Sequence, residues 1–370
     1  MQLRIKLVIL FFISHQALGN ISSGKSVILF IGDGMGYPQL DVTSLTLNGR
    51  KASLFTQQLS HQGEICTHSH SNEVTDSGAA ATAMGTGRKT NNGSVGRDQK
   101  AVDIPNIFEI AKRAGLHTGI VTTVPVSHAT PAGFASHGDS RKHTNRIIDQ
   151  LLSRARPNIL FGSAKEINKE WAEFKGYDVV SNREEMNQWQ ARGKNFHVSG
   201  QFGNSSLPPY KTSETDLPSL PEMTAKAIKA LPQPFFLLVE SGMIDWGGHE
   251  GDIATIVSEV QALDDAVQET FSWMRDQPNI TMVVTADHET GGLVIDGPSP
   301  TKGYYPRHRF TAPLNNGGKY SHTAQKVPVY AAGSDAYRVE KLYDNTDLFY
   351  MMKDIILKNP KRRAPKSFLK

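Results

Sequence analysis

The stretch SVILFIGDGMG, residues 26–36, joins a run of apolar, strand-forming residues to a glycine-rich turn that contains one aspartate. A continuous apolar run bounded by glycine is typical of a strand that is covered on both faces, as in a parallel sheet. Asp33 follows this run directly. Because ligands bind beyond the carboxyl ends of the strands in an open parallel sheet, the stretch predicts an α/β fold with Asp33 at the binding edge.

The same pattern recurs along the chain, with helical patterns between the apolar runs. Further strands are predicted at residues 118–122, 235–239, 281–285 and 327–332. Helices are predicted at residues 104–114, with Asp103 as the N-cap, and at residues 253–274. Alternating strands and helices favour βαβ units and a mainly parallel sheet.

The length of 370 residues allows one large domain or two of ordinary size. Without a repeat or a strong linker, we predict a single domain over residues 20–352. Surface insertions are expected at about residues 163–220 and 293–320, the first of them as loops and short helices. Cys66 is the only cysteine, so no intramolecular disulfide is possible.

The two ends of the chain differ from the rest in composition. Residues 1–19 have a basic start, an apolar run and small residues near the end, which is typical of a secretory signal peptide. The alternative, a membrane anchor, needs a longer apolar run of about 20 residues. Residues 353–370 form a basic tail that could touch a membrane or a polyanion, or simply be solvated. The two ends together carry a net charge of +8 and the body therefore −4, so nothing in the body indicates nucleic-acid binding.

Ionisable or hydroxyl side chains follow four of the predicted strands. Carboxylates and imidazoles together suit zinc, and an oxygen-rich subset suits magnesium. Two ions about 4 Å apart can stabilise the attacking and leaving oxygens of a phosphoryl transfer. Each residue alone is more often a turn cap, so the prediction depends on the set occurring together: Asp33, His128, Thr130, Glu240, Asp245, His249, Asp287 and His288.

A second unusual stretch is VTDSGAAATAMGTG, residues 74–87, in which Ser77 stands among small residues. We predict a helix start at Asp76 and Ser77, whose amides point at an anion. Small side chains there would let a phosphate and metals approach the backbone. The alternative interpretation is a helix cap followed by a small-residue packing face.

These motifs resemble those of the alkaline phosphatase family. VILFIGDGMG is similar to its first metal motif, VTDSGAAATAMGTG to its nucleophile motif, and HATPAGFASH to its magnesium-threonine motif. VESGMIDWGGH and VTADHETGG resemble its two zinc motifs, and YSHTAQKVPVYAAG resembles the segment with the last zinc histidine. The resemblance implies a three-layer α/β/α sandwich and a broad phosphomonoesterase that works through a phosphoserine.

The resemblance also implies a role for each matching residue. Ser77 would be the nucleophile, and Arg141 would clamp two phosphate oxygens while Asp76 orients it. One zinc would be held by Asp245, His249 and His322, the other by Asp33, Asp287 and His288, and magnesium by Asp33, Thr130 and Glu240. Family members are often homodimers, and the leader implies a periplasmic or secreted protein.

Two positions follow one variant of the family. His128 stands where some members have aspartate, and Trp246 where some have lysine. An imidazole near the third metal favours zinc there as an alternative to magnesium. A sulfatase is disfavoured because the sequence lacks a C-x-P-x-R or S-x-P-x-R motif. A phosphodiesterase, a phosphate-binding protein without turnover and a metal-free domain with capped turns are the other hypotheses.

Overall fold

The computed structural model describes residues 24–211, 215–297 and 301–357. The predicted signal peptide and residues 358–370 of the predicted tail lie outside these ranges. The strands are β1 Ser26–Gly32, β2 His61–Ile65, β3 His117–Pro125, β4 Ile159–Ser163, β5 Asp178–Val180, β6 Val198–Gln201, β7 Phe235–Ser241, β8 Ile280–Ala286, β9 Glu289–Thr290, β10 Leu293–Ile295, β11 His308–Phe310, β12 His322–Thr323 and β13 Val327–Gly333. The helices are α1 Tyr37–Asn48, α2 Ser77–Thr86, α3 Ile107–Arg113, α4 Ala129–Ala135, α5 Thr144–Gln150, α6 Lys169–Phe174, α7 Arg183–Gln188, α8 Leu220–Ala230, α9 Met243–Glu250, α10 Ile253–Met274 and α11 Asn345–Ile356.

A nine-stranded sheet forms the centre of the fold, in the order β2-β13-β8-β1-β7-β3-β4-β6-β5. Within this sheet β13 runs antiparallel to both of its neighbours, β8 and β2, and the other described pairings are parallel. Strand β1, next to the middle strand, pairs in parallel with β7 and β8, and all seven of its residues are buried. The predicted mostly parallel sheet is therefore confirmed.

Two groups of helices cover the sheet and complete the predicted three layers. One group packs around α10, which contacts α1, α8 and α9 together with β1 and β7. The other joins α2, α4, α3 and α11, and α11 contacts β1 as well. Because both groups contact β1, the central strands are enclosed and can be apolar throughout.

All five predicted strands are present, as β1, β3, β7, β8 and β13, and α10 has the predicted bounds. The predicted start of α3 was wrong. The helix begins at Ile107, and the Asn106 side chain caps it by accepting from the Glu109 amide at 3.0 Å. Asp103 instead accepts from Arg97 Nε at 2.7 Å. The intervening Pro105 disfavours the helical conformation at the residue before it, so the helix starts later.

Residues 163–220 contain more regular structure than the expected loops and short helices. Besides α6 and α7, they contribute the strands β5 and β6, which extend the sheet at one edge. Residues 293–320 include β10 and β11, which form a small antiparallel pair. The last helix continues through Ile356 and so includes the first residues of the predicted tail.

In the described ranges, no helix is both long and apolar enough to cross a membrane.

Candidate active site

Four neighbouring parallel strands, in the order β8-β1-β7-β3, carry the candidate residues at their carboxyl ends. Asp33 follows β1, Asp287 follows β8, Glu240 lies near the end of β7, and His128 lies between β3 and α4. The three carboxylate residues are fully buried. The strand-end pattern in the sequence therefore corresponds to a real cluster of side chains.

Ser77 is the first residue of α2, and Asp76 caps this helix by accepting from the Ala79 amide at 3.0 Å. The small residues of α2 have a packing role, because the helix lies against α4. A Cβ atom on Gly133 of α4 would come within 2.7 Å of the Ala81 Cβ atom. The interpretation as a capped helix with a small-residue packing face is thus correct as local structure.

The first group of candidate ligands surrounds Ser77. The Nε2 atom of His288 lies 3.2 Å from Ser77 Oγ, 3.2 Å from Asp287 Oδ2 and 3.5 Å from Asp33 Oδ1. Ser77 Oγ lies 3.4 Å from Asp33 Oδ1. Tetrahedral zinc with bonds of about 2.0 to 2.1 Å would separate its ligand atoms by about 3.3 Å, so this group fits one zinc ion.

This arrangement differs from a Ser-His-Asp relay. In such a relay the serine and the carboxylate face opposite nitrogens of the imidazole. Here Ser77, Asp33 and Asp287 all face Nε2 of His288. The other nitrogen, Nδ1, lies 3.2 Å from the hydroxyl of Thr290. The geometry therefore resembles a set of ligands around one point more than a proton relay.

The second group consists of Asp245, His249 and His322. The Nε2 atom of His249 lies 3.3 Å from Asp245 Oδ2 and 3.1 Å from His322 Nε2. The Nε2 atom of His322 lies 3.5 Å from Asp245 Oδ1. The Nδ1 atom of each histidine contacts a backbone carbonyl oxygen. His249 Nδ1 lies 2.5 Å from that of Tyr320, and His322 Nδ1 lies 2.9 Å from that of Thr75. Since a carbonyl only accepts, both Nδ1 atoms carry hydrogen, and Nε2 is the nitrogen with which each ring would bind a metal.

The third group is formed by Asp33, Glu240 and His128, and Thr130 follows His128 by two residues at the start of α4. His128 Nδ1 lies 3.7 Å from Asp33 Oδ2 and 3.6 Å from Glu240 Oε1. These three atoms and Thr130 Oγ1 are buried and have no hydrogen-bond partner among the described residues. Buried polar atoms are rarely left unpaired, so a cation bound between them would explain the cluster.

Electrostatics favour positive charge at the carboxylates. Burial and repulsion from neighbouring carboxylates, Asp287 first, raise the pKa of Asp33 well above its usual value. Burial and the charge of Asp245 raise the pKa of Asp287 to about 6. Burial lowers the pKa of His288 well below its usual value, so its imidazole is neutral and can be a ligand. Several buried carboxylates within contact of one another are stable when cations neutralise them.

Arg141 lies beside the start of α2. Its Nη1 atom donates to Asp76 Oδ2 at 3.1 Å, and its Nη2 atom lies 3.4 Å from His128 Nε2. The pairing with Asp76 is the one that the family resemblance implied. The ring of Trp246 meets that of His128 edge to face, with centroids 6.4 Å apart.

Two hydroxyl groups at the site were not predicted from the sequence. Thr290 donates to Asp245 Oδ1 at 2.5 Å and contacts His288, so it connects the first and second groups. Thr122 donates to Glu240 Oε2 at 2.6 Å and thereby orients this carboxylate. Thr290 could have been considered because it follows the predicted ligand His288 by two positions. Thr122 lies within a strand, and its position in the sequence does not indicate a role at the site.

Clusters of carboxylate and imidazole side chains beside an arginine and a serine define a metallohydrolase that acts on anionic esters, because metals and arginine both bind phosphoryl oxygens. Comparison with known proteins specifies the family. The family model described as alkaline phosphatase matches residues 24–166 and 161–312. Alkaline phosphatase 3 of Bacillus subtilis is 33% identical over 359 residues, covering 91% of this chain and 72% of the relative.

Solved structures give the same result. The cold-active alkaline phosphatase of a psychrophilic Shewanella is 26% identical with a TM-score of 0.78, covering 90% of this chain and 99% of that one. A histidine-to-aspartate mutant of the TAB5 alkaline phosphatase, with magnesium in its M3 site, is 25% identical with a TM-score of 0.75, covering 90% and 98%. The chain belongs to the alkaline phosphatase family. It is accordingly a metal-dependent phosphatase that hydrolyses phosphate monoesters.

Proposed function

We propose that Ser77 is the nucleophile and that Arg141 binds the phosphoryl group while Asp76 orients it. The observation that carries this proposal is the position of Ser77 Oγ, 3.2 Å from His288 Nε2 and 3.4 Å from Asp33 Oδ1. Its hydroxyl is thus part of the first group of candidate ligands. The guanidinium of Arg141 is held at the start of the same helix.

In the first step, Ser77 Oγ forms a bond to phosphorus, the bond from phosphorus to the alcohol oxygen breaks, and the alcohol leaves with a proton. In the second step, water attacks the phosphoserine, the bond to Ser77 Oγ breaks, and inorganic phosphate is released. Arg141 holds two phosphoryl oxygens in both steps, which suits the planar fork of its guanidinium. Bound zinc would lower the pKa of the attacking oxygens and neutralise the charge of the leaving oxygens.

We assign two zinc ions and one magnesium ion to the three groups. Asp33, Asp287 and His288 would hold one zinc beside Ser77, and the set Asp245, His249 and His322 would hold the other. Asp33, Thr130 and Glu240 would hold magnesium. Because His128 offers a nitrogen at this third site, zinc is the alternative ion there.

Low specificity for the alcohol follows from this assignment, because the proposed residues contact the phosphoryl group and none is assigned to the alcohol. Diesterase activity is the second candidate, and relative rates on an aryl phosphate and the matching diester would measure it. The leader supports a periplasmic or secreted location, and the family resemblance supports a homodimer.

The test of this proposal is Ser77→Ala, with Ser219→Ala as a control because Ser219 also stands at a helix start, that of α8. Hydrolysis of an aryl phosphate and bound metal are measured for each purified protein. We expect Ser77→Ala to lower kcat by about 1,000-fold or more with its zinc retained, and Ser219→Ala to leave kcat unchanged. Removing metal with a chelator should abolish turnover by the wild type. Full activity of Ser77→Ala would refute the proposal.

A further inference from the structure

Arg141 lies on the segment that connects α4 to α5, and residues 93–96 hold this segment in place. The backbone amide of Arg141 donates to the carbonyl of Gly93 at 2.7 Å. Gly138 and Val95 exchange two backbone hydrogen bonds of 2.8 and 2.9 Å. The position of the Arg141 segment therefore depends on residues 93–96.

The same residues also contact the nucleophile helix. The amide of Gly96 donates to the hydroxyl of Thr82 in α2 at 2.9 Å. A Cβ atom on Gly78 of α2 would lie 3.1 Å from the carbonyl oxygen of Ser94. Residues 93–96 thus bridge the helix that begins with Ser77 and the segment that carries Arg141.

His137 is buried at the centre of this bridge, with 1% of its surface exposed. Its Nδ1 atom lies 2.7 Å from the carbonyl oxygen of Gly96, so Nδ1 carries a hydrogen and donates it. Its Nε2 atom lies 3.2 Å from Glu109 Oε1 and 3.3 Å from Asn106 Nδ2 at the start of α3. Gln150 holds the backbone of His137 from both sides, at 2.9 and 2.7 Å.

The fit between His137 and Gly96 leaves no room for a side chain at Gly96. Gly96 has a φ of +61°, in the left-handed region. A Cβ atom there would lie 1.9 Å from the carbonyl oxygen of Ser136 and 2.9 Å from His137 Nδ1. Two independent features, the buried imidazole and the required glycine, therefore fix the same contact.

We propose that His137 is a positioning residue, which sets the distance between Arg141 and Ser77 by tying the Arg141 segment to residues 93–96. This inference rests on the proposed function of Arg141. His137 lies four residues before Arg141 and is held away from solvent, so it acts through the backbone and does not touch the phosphoryl group. Its loss should weaken phosphate binding, because displacing a binding group by about 1 Å can cost about 100-fold.

The test compares His137→Leu, which removes both ring nitrogens, with His137→Asn, whose amide can still donate to the carbonyl of Gly96. KM and kcat for an aryl phosphate and the inhibition constant of inorganic phosphate are measured for both. His137→Leu should raise KM and the inhibition constant by about 10- to 100-fold with zinc content unchanged. His137→Asn should restore most of the affinity.

A double-mutant cycle with Arg141→Ala separates positioning from general damage. If His137 acts through Arg141, adding His137→Leu to Arg141→Ala should change the inhibition constant by less than about twofold. Additive effects would refute the positioning role while leaving the role of Arg141 intact. An unchanged inhibition constant in Arg141→Ala alone would instead refute the proposed function.

Two further variants cover the case in which His137→Leu does not fold. Gly96→Ala should raise KM in the same way, since its Cβ atom would displace the carbonyl of Ser136. His197→Leu is the matched control, because His197 also faces a carbonyl oxygen, that of Pro157 at 3.0 Å, but at the amino end of β6. Normal phosphate affinity in folded Gly96→Ala, or an equal loss of affinity in His197→Leu, would overturn the inference.

Discussion

Replacing Glu259 with glutamine should stabilise the protein at alkaline pH and do little at acid pH. Glu259 lies on α10 with 2% of its surface exposed. It accepts hydrogen bonds from the Tyr210 amide at 3.1 Å and from the Ser241 hydroxyl at 3.4 Å. Burial raises the pKa of its carboxyl group from 4.5 to about 7, although both hydrogen bonds oppose the shift.

The direction of the effect follows from proton binding. The folded protein keeps a proton on Glu259 that the unfolded chain releases between pH 4.5 and about 7. This contribution to stability is fully present below the unfolded pKa and is lost as the pH rises through the folded pKa. A shift of about 2.5 pH units corresponds to about 3 kcal/mol. Glutamine keeps an acceptor for Tyr210 and cannot ionise, so Glu259→Gln should avoid this loss.

Urea unfolding at pH 5 and pH 8.5 measures the difference between variant and wild type. Glu259→Gln should be more stable by about 3 kcal/mol at pH 8.5 and by less than about 1 kcal/mol at pH 5. Glu269→Gln, an exposed change on the same helix, should differ from the wild type by less than about 0.5 kcal/mol at both values. Equal stability of Glu259→Gln and wild type at pH 8.5, or an equal gain at both values, would show that the reasoning is wrong.

Three further predictions concern the active site. Thr290→Val removes the hydroxyl that connects the first two ligand groups and should weaken zinc binding by about 10- to 100-fold in a chelator competition; unchanged affinity would contradict its orienting role. His128→Asp replaces a nitrogen with oxygen at the third site, so activity should become more responsive to added magnesium, and an unaltered magnesium titration would speak against this site. Gly133→Ala should lower the free energy of unfolding by about 1 to 3 kcal/mol and reduce kcat, because the added Cβ atom would force α2 to move. Gly297→Ala, at an open position, should change neither quantity. Equal unfolding midpoints for Gly133→Ala and wild type would exclude a tight α2–α4 contact.

The central strands could be predicted from sequence because burial on both faces leaves a continuous apolar run, as in β1 and β7. The short strands β5 and β6 could not, since three or four residues at a sheet edge give too little periodicity. The antiparallel direction of β13 could not be predicted from its composition either. Because β13 lies in the same buried sheet as the parallel strands, it has the same apolar residues.

The same distinction holds at the site. Asp33 and Asp287 were found because each follows a buried strand, and the strand-end rule places them together. Arg141 and His322 do not directly follow a predicted strand end at the site, and only the family resemblance pointed to them. The contact of Thr122 with Glu240 depends on how two strands that are distant in sequence pack, so no local pattern predicts it.

The most direct test of the central claim is to look for phosphate on Ser77 during turnover. The protein is mixed with an aryl phosphate, quenched in acid within milliseconds and digested, and the peptide that contains residues 74–87 is analysed by mass spectrometry. A phosphoserine intermediate requires a phosphoryl group on Ser77 that appears before steady-state release of phosphate and is absent in Ser77→Ala. Rapid turnover without any modified Ser77, or phosphate carried by another residue, would contradict the account.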